Sequence, residues 1–162
     1  MKRIFIIKEK CTACLNCVVA CQKSHAGSDF YAPIRDIEPG RIYLQAVGNS
    51  PVPLVCMHCE EPACVKACIT GAMRKDPVSG IVSNEFTPGK CVGCWMCVMA
   101  CPYGVLSPKE ENGKKIAIKC DLCMKHGGPA CVEACPTGAI VYMEEAEFAE
   151  YKQGLAAANS IQ

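Results

Sequence analysis

The sequence has little of the material that usually builds a core. Only 6% of its 162 residues are aromatic, with a single Trp. Leu, Ile, Val and Phe together make up little more than a fifth of the chain. That is near the level below which a chain fails to bury enough apolar surface to hold a fold. The nominal hydrophobic content of 51% counts cysteine and so hides the deficit. No apolar run approaches the roughly 20 residues a spanning helix needs, which excludes a direct membrane span. Neither sign of charge is in excess, with 17 Lys+Arg against 16 Asp+Glu and no basic block. A nucleic-acid binder of the electrostatic kind is therefore excluded. There is no GxGxxG, no GxxxxGK[ST] and no Ser/His/Asp set in a supporting context. The sequence thus offers no nucleotide, flavin or substrate pocket and no catalytic residue.

What the chain has instead is cysteine, 16 residues of it. The stretch MKRIFIIKEKC starts basic, but its apolar part, Ile4 to Ile7, is shorter than the roughly 7 residues an export signal needs. We therefore expect a cytoplasmic protein. In that reducing compartment disulfides are disfavoured, and clustered cysteine means metal or catalysis.

The cysteines fall into four groups of four. The first is Cys11, Cys14, Cys17 and Cys21, and the second is Cys56, Cys59, Cys64 and Cys68. The third is Cys91, Cys94, Cys97 and Cys101, and the fourth is Cys120, Cys123, Cys131 and Cys135. Each group ends alike, in CVVAC, CVKAC, CVMAC or CVEAC. The sequence just beyond repeats in three of them, as Ile69-Thr70-Gly71-Ala72, Pro102-Tyr103-Gly104-Val105 and Pro136-Thr137-Gly138-Ala139. The first group departs, with Gln22-Lys23-Ser24-His25. This is internal repetition of one small metal-binding unit.

The third group reads C-x2-C-x2-C-x3-C-P, the bacterial ferredoxin spacing in which the fourth Cys ligates the other cluster of a pair. Three thiolates in a tight loop converge on one site, and the fourth is carried away on a helix that the proline ends. Structural zinc takes two close cysteine pairs set well apart, so three ligands within seven residues fit it poorly. A disulfide scaffold would need export. Sixteen thiolates at four per cube give four [4Fe–4S] clusters, with no ligand missing and no Asp or His substituted. The apo chain has a formal charge of +1. Sixteen thiolates and four oxidised cubes bring the loaded protein to roughly −7. Backbone N–H groups and Lys10, Lys66, Lys90 and Lys119 are candidate compensators, though each lysine reads equally as a solvated surface residue.

Short alternating runs predict strands at Ile4–Ile7, Arg41–Val47, Gly80–Phe86, Lys115–Lys119 and Ile140–Met143. Turn signals stand at Pro39-Gly40, Pro51-Val52-Pro53, Asp76-Pro77, Ser79-Gly80, Asn112-Gly113 and Gly127-Gly128-Pro129. Trp95, Met57, Met96 and Met99 are expected to shield a cube. His58, His25 and His126 are expected to be hydrogen-bonding or surface residues, because the thiolate sets are complete without them. The tail from Glu144 to Gln162 predicts a helix with Phe148, Tyr151 and Leu155 on one stripe. It serves either to cover the chain's own core or to dock a partner, including a second copy.

Spacing alone leaves the pairing of the groups open. Through all four groups, however, the chain resembles the four-cluster electron-transfer subunits of bacterial redox complexes. These include the iron–sulfur subunits of dimethyl sulfoxide reductase and formate dehydrogenase, hydrogenase-associated polyferredoxins and the iron–sulfur partner of carbon monoxide dehydrogenase. The resemblance implies an α+β fold of two intertwined ferredoxin-like domains, with short hairpins and short helices around the cubes. Residues 1–47 plus 112–143 would form the outer domain, 48–111 the inserted one and 144–162 a C-terminal helix. It also implies nested ligand sets. Cluster one would take Cys11, Cys14, Cys17 and Cys135, and cluster two Cys56, Cys59, Cys64 and Cys101. Cluster three would take Cys68, Cys91, Cys94 and Cys97, and cluster four Cys21, Cys120, Cys123 and Cys131.

The function so implied is a non-catalytic subunit of anaerobic metabolism. It would pass single electrons between an acceptor and a catalytic partner: carbon monoxide dehydrogenase, a formate or aldehyde oxidoreductase, or a hydrogenase. A freely diffusing polyferredoxin, which would be a monomer, and a zinc-binding adaptor, which would be colourless, are the rivals.

Overall fold

The computed structural model describes residues 1–26 and 39–160. It is a mixed assembly of four two-stranded antiparallel ribbons and short helices. Strand β1 (Arg3–Ile6) pairs with β8 (Ile140–Met143), so the two ends of the cysteine-bearing region close on each other, with Ile4, Ile7 and Ile140 buried beneath. Between them run β2 (Ile42–Val47) with β3 (Ser50–Val55), β4 (Arg74–Lys75) with β5 (Val82–Ser83), and β6 (Ser107–Glu111) with β7 (Lys114–Ile118). The last pair turns through Asn112 and Gly113, both at positive φ, as a tight hairpin of matching twist requires.

Two expectations fail on β3 and β5. Pro51 and Pro53 do not mark a turn but sit inside β3, opposite Ala46 and Leu44. A two-stranded ribbon has a free edge, and prolines spaced by two place the positions without a donor on one side of it. The Gly80–Phe86 run gives only a two-residue strand. Asn84 leaves the ladder and donates through Nδ2 to the Ala117 carbonyl at 2.8 Å, and Thr87 then closes a turn onto the Asn84 carbonyl. The Asp76 turn does form, with the Asp76 carboxylate accepting from the Ser79 amide at 2.7 Å.

The helices follow the cysteine groups: α1 (Asn16–His25), α2 (Ala63–Lys66), α3 (Met96–Ala100) and α4 (Ala130–Glu133). Helix α1 packs on α4, and α2 on α3. Helix α1 runs on to His25 because no proline follows Cys21, whereas α3 stops at Cys101-Pro102. Helix α5 (Glu145–Asn159) starts with a capping box between Glu144 and Glu147. It folds back on its own chain: Phe148 stacks on Phe5 at 4.1 Å, and Lys10 Nζ donates to the Tyr151 hydroxyl at 2.6 Å. The predicted helix reached Gln162, but the last two residues lie outside the described ones. No helix among the described residues is long and apolar enough to cross a membrane.

Candidate metal centres

All four Cys-x-x-Cys loops share one backbone device. The residue before the second Cys lies at positive φ: Ala13 at 58°, His58 at 45°, Gly93 at 66° and Leu122 at 57°. Such a conformation costs a non-glycine residue about 1–2 kcal/mol, and it persists where the surroundings over-determine it. Here it swings amides toward sulfur. The His58 amide donates to Cys56 Sγ at 3.3 Å and the Leu122 amide to Cys120 Sγ at 3.4 Å. In groups one and three a second left-handed residue, Leu15 or Trp95, starts the helix that carries the third thiol. Gly93 is required in a second way, because a Cβ there would sit 2.3 Å from the Lys115 carbonyl oxygen.

The thiols come together across the fold. One small cavity is walled by Cys11, Cys14, Cys17 and Cys135. A second is walled by Cys56, Cys59, Cys64 and Cys101. A third is walled by Cys68, Cys91, Cys94 and Cys97. Cys21, Cys120, Cys123 and Cys131 are all buried. Burial, then the neighbouring Cys21 and Cys123 thiols, pushes Cys131 up to about 12. A buried all-sulfur donor set fits a cation-rich group that would hold it as thiolate. Amide donors at Cys21, from Arg41, and at Cys68, from Met73, both at 3.3 Å, suit sulfur carrying negative charge.

Several participants carried no recognised sequence signal. Thr70 Oγ1 lies 3.7 Å from Cys68 Sγ, and Thr137 Oγ1 lies 3.8 Å from Cys135 Sγ. Although burial works the other way, the amide and hydroxyl donors around each of these thiols hold it below the ordinary range. The repeated Thr-Gly after the fourth Cys of groups two and four was the signal that could have found them. Met57 and Trp95 line cysteine cavities, as expected of shielding residues. Met96 and Met99 do not: helix α3 turns them outward, and Met99 is 71% exposed.

His58 and His25 hydrogen-bond rather than complete a thiol set. His58 is buried, and its Nδ1 accepts from the Val82 amide at 3.0 Å, which fixes the proton on Nε2. Burial, then the Lys119 charge, depresses it to about 3, so it is neutral. His25 Nε2 meets Asp121 Oδ1 at 3.1 Å, and Asp121 also pairs with Arg41 Nη1 at 2.9 Å. Burial opposes the proton on His25, but the Asp121 hydrogen bond and then Cys21 outweigh it and raise His25 to about 10. His25, Asp121 and Cys123 bring one ligand atom each within 4.8 Å of one another, but Asp121 is already committed to the ion-pair network. His126 packs edge-on against His25 at 5.5 Å.

Of the four candidate lysines, Lys66 pairs on the surface with Glu61, Lys10 holds Tyr151 and Lys90 is exposed. Lys119 alone among them is buried. A solvent-open cleft of about 620 Å³ beside His25, Arg41 and Glu85 counts a single cysteine, Cys91, in its wall.

A model of the 4Fe-4S dicluster domain matches residues 47–145, and one of the 4Fe-4S binding domain matches residues 8–26. The chain belongs to the 4Fe-4S dicluster domain family. It is similar to an iron-sulfur protein of Rhodospirillum rubrum, 35% identical over 155 residues that cover 85% of this chain and 79% of that one. It is 38% identical to the putative electron transport protein YsaA of Escherichia coli (strain K12) over 144 residues, covering 86% and 89%. It is 36% identical to the NADH-dependent phenylglyoxylate dehydrogenase subunit beta of Aromatoleum evansii over 141 residues, 85% of this chain but 29% of that much longer one. This member of the dicluster family is an electron-transfer iron–sulfur protein, and its 16 cysteines fit four [4Fe–4S] clusters.

Proposed function

We propose that the chain is a non-catalytic wire between a catalytic oxidoreductase subunit and an acceptor. Its sixteen thiolates hold the clusters in the nested sets: Cys11, Cys14, Cys17 and Cys135; Cys56, Cys59, Cys64 and Cys101; Cys68, Cys91, Cys94 and Cys97; Cys21, Cys120, Cys123 and Cys131. Bound clusters supply one-electron storage and release; the chain holds their ligands, keeps water out and aims amides at sulfur. The sharing of cavities by thiols from different groups supports these sets. So does the packing of α1 on α4 and of α2 on α3, which also favours an outer domain of residues 1–47 plus 112–143 around an inserted one of 48–111.

A gradient of burial carries the functional reading. The first and third sets each include an exposed cysteine, Cys14 or Cys94, and the Cys21 set is entirely buried. Electrostatic neighbours link Cys17 to Cys131, Cys120 to Cys56, and Cys64 to Cys97. The sets therefore run in a row, one–four–two–three, with an exposed cysteine in the set at each end and none in the two between. That is the order a wire needs, and a substrate site would not call for it. We place the protein in the cytoplasm, beside an oxidoreductase of the formate, aldehyde, carbon monoxide or hydrogen-converting kind. The similarity to a dehydrogenase subunit supports an oxidoreductase partner.

Anaerobic purification of the tagged chain from its own cells, followed by native mass analysis and iron determination, tests this. We expect a stoichiometric complex with an oxidoreductase subunit and about sixteen irons per copy. A partner-free monomer would favour the diffusing carrier, and a colourless zinc-loaded chain would end the iron–sulfur reading.

A further inference from the structure

Among the described residues Lys119 is the largest fully buried side chain, with 1% of its surface accessible. A buried ammonium is costly unless something nearby answers its charge. Among the described residues its one hydrogen bond is to a neutral group, the Val82 carbonyl oxygen. An ammonium has three donors, so this bond alone does not satisfy it. No carboxylate forms an ion pair with it among the described residues. What it does face is sulfur: Lys119 forms part of the wall of the cavity made by Cys56, Cys59, Cys64 and Cys101. Its charge is also the largest electrostatic influence on Cys64 after burial.

Val82 accepts from Lys119 through its carbonyl and donates through its amide to His58 Nδ1. His58 belongs to the Cys56–Cys59 loop, so one residue of β5 fixes the lysine and the thiol loop together. His58 Nε2 is likewise buried and has no partner among the described residues. Lys119 also stands next to Cys120, whose thiol neighbours Cys56. The charge is therefore held where the second and fourth thiol sets meet.

We propose that Lys119 is a positioning residue whose fixed positive charge raises the reduction potential of the cluster bound by Cys56, Cys59, Cys64 and Cys101. This rests on the ligand sets proposed above. Each electron added makes a cluster one unit more negative, and a buried cation favours that form. Raising an interior site in this way makes it the resting place of an electron between the two open ends.

The test is an EPR-monitored redox titration of the anaerobically reconstituted full chain. Lys119→Gln removes the charge and keeps an N–H for the Val82 carbonyl; Lys119→Arg keeps the charge. In the glutamine variant we expect one of four midpoints to fall most, by about tenfold in the reduction equilibrium, about 59 mV for one electron, with any smaller shift confined to one neighbouring cluster. The arginine variant should hold that midpoint, and the exposed control Lys66→Met should move none. Should the glutamine variant take up less iron than wild type, Lys119→Met, apolar and similar in length, repeats the measurement. Four unmoved midpoints, four equal shifts, or an arginine shift as large as the glutamine one would each overturn the proposal. Cys64→Ser and Cys101→Ser separate this from the ligand assignment. They should disturb one and the same midpoint, and two different midpoints would overturn the ligand set whatever Lys119 does.

Discussion

The first and fourth thiol sets use the same chemistry in opposite surroundings. At the first, Cys14 is exposed, and Leu15 and Val19 stand in solvent beside it. At the fourth, every thiol is buried and the neighbourhood holds charge: Asp121, Arg41 and His25 form one connected ion-pair network. A site open to water needs no internal counter-charge, because solvent supplies the screening. A dry site needs one built in. Buried Arg41 and Asp121 stand beside the fully buried fourth set, and exposed Leu15 and Val19 beside the exposed thiol of the first.

The largest test of that contrast is to remove one ligand of each kind. Cys120→Ala removes a thiol that belongs to the main apolar core, so its loss should cost the fold. We expect little soluble protein, with iron well below about twelve per chain. Cys14→Ala should leave a folded chain with about twelve irons or more, read by iron analysis after anaerobic purification. Equal loss in both would erase the distinction between closed and open sites.

Next in size is Asp121→Ala. It strands Arg41 in a buried site, with Glu85 at 2.6 Å as its remaining acidic partner. Breaking a buried pair in this way costs about 3–5 kcal/mol, and anaerobic denaturant unfolding should show it. A change under about 1 kcal/mol would mean that the network is solvated after all.

The smallest effects compare two loops at one position. Ala13 and Gly93 occupy the same left-handed place in groups one and three. Ala13→Gly should stabilise by up to about 1 kcal/mol by relieving strain, less the added chain entropy. Gly93→Ala should destabilise by about 1–3 kcal/mol, because its Cβ would meet the Lys115 carbonyl as well as an unfavourable φ. Thermal unfolding of both holo variants reads the pair, and shifts of the same sign would show that the loops are not equivalent.

Much of the local structure was legible. Strands β1, β2, β7 and β8 fall within a residue or so of their alternating runs, because residues i and i+2 share a face whatever lies across from them. Strand β3 was hidden by its prolines, and β6 by its polar Lys109-Glu110-Glu111 end, which a hairpin tip in solvent tolerates. At the centres, the cysteines were recognisable from spacing, but the threonines at Cys68 and Cys135 and the burial of His58 were not. A hydroxyl two residues from a thiol and a histidine inside a thiol loop read the same on paper whether they face sulfur or water.

The sequence by itself determined the donor atoms, the number of clusters they can fill and the shape of each three-thiol loop. Those depend on contacts within seven to twelve residues, where chain geometry leaves few choices. Only the tertiary structure decided which thiols share a cavity, which ones face solvent and which of four similar lysines is buried among sulfur. Those outcomes depend on ribbons and helices far apart in sequence, such as β1 on β8 and α1 on α4, meeting at one register. No local pattern encodes the electrostatic surroundings that such a meeting creates.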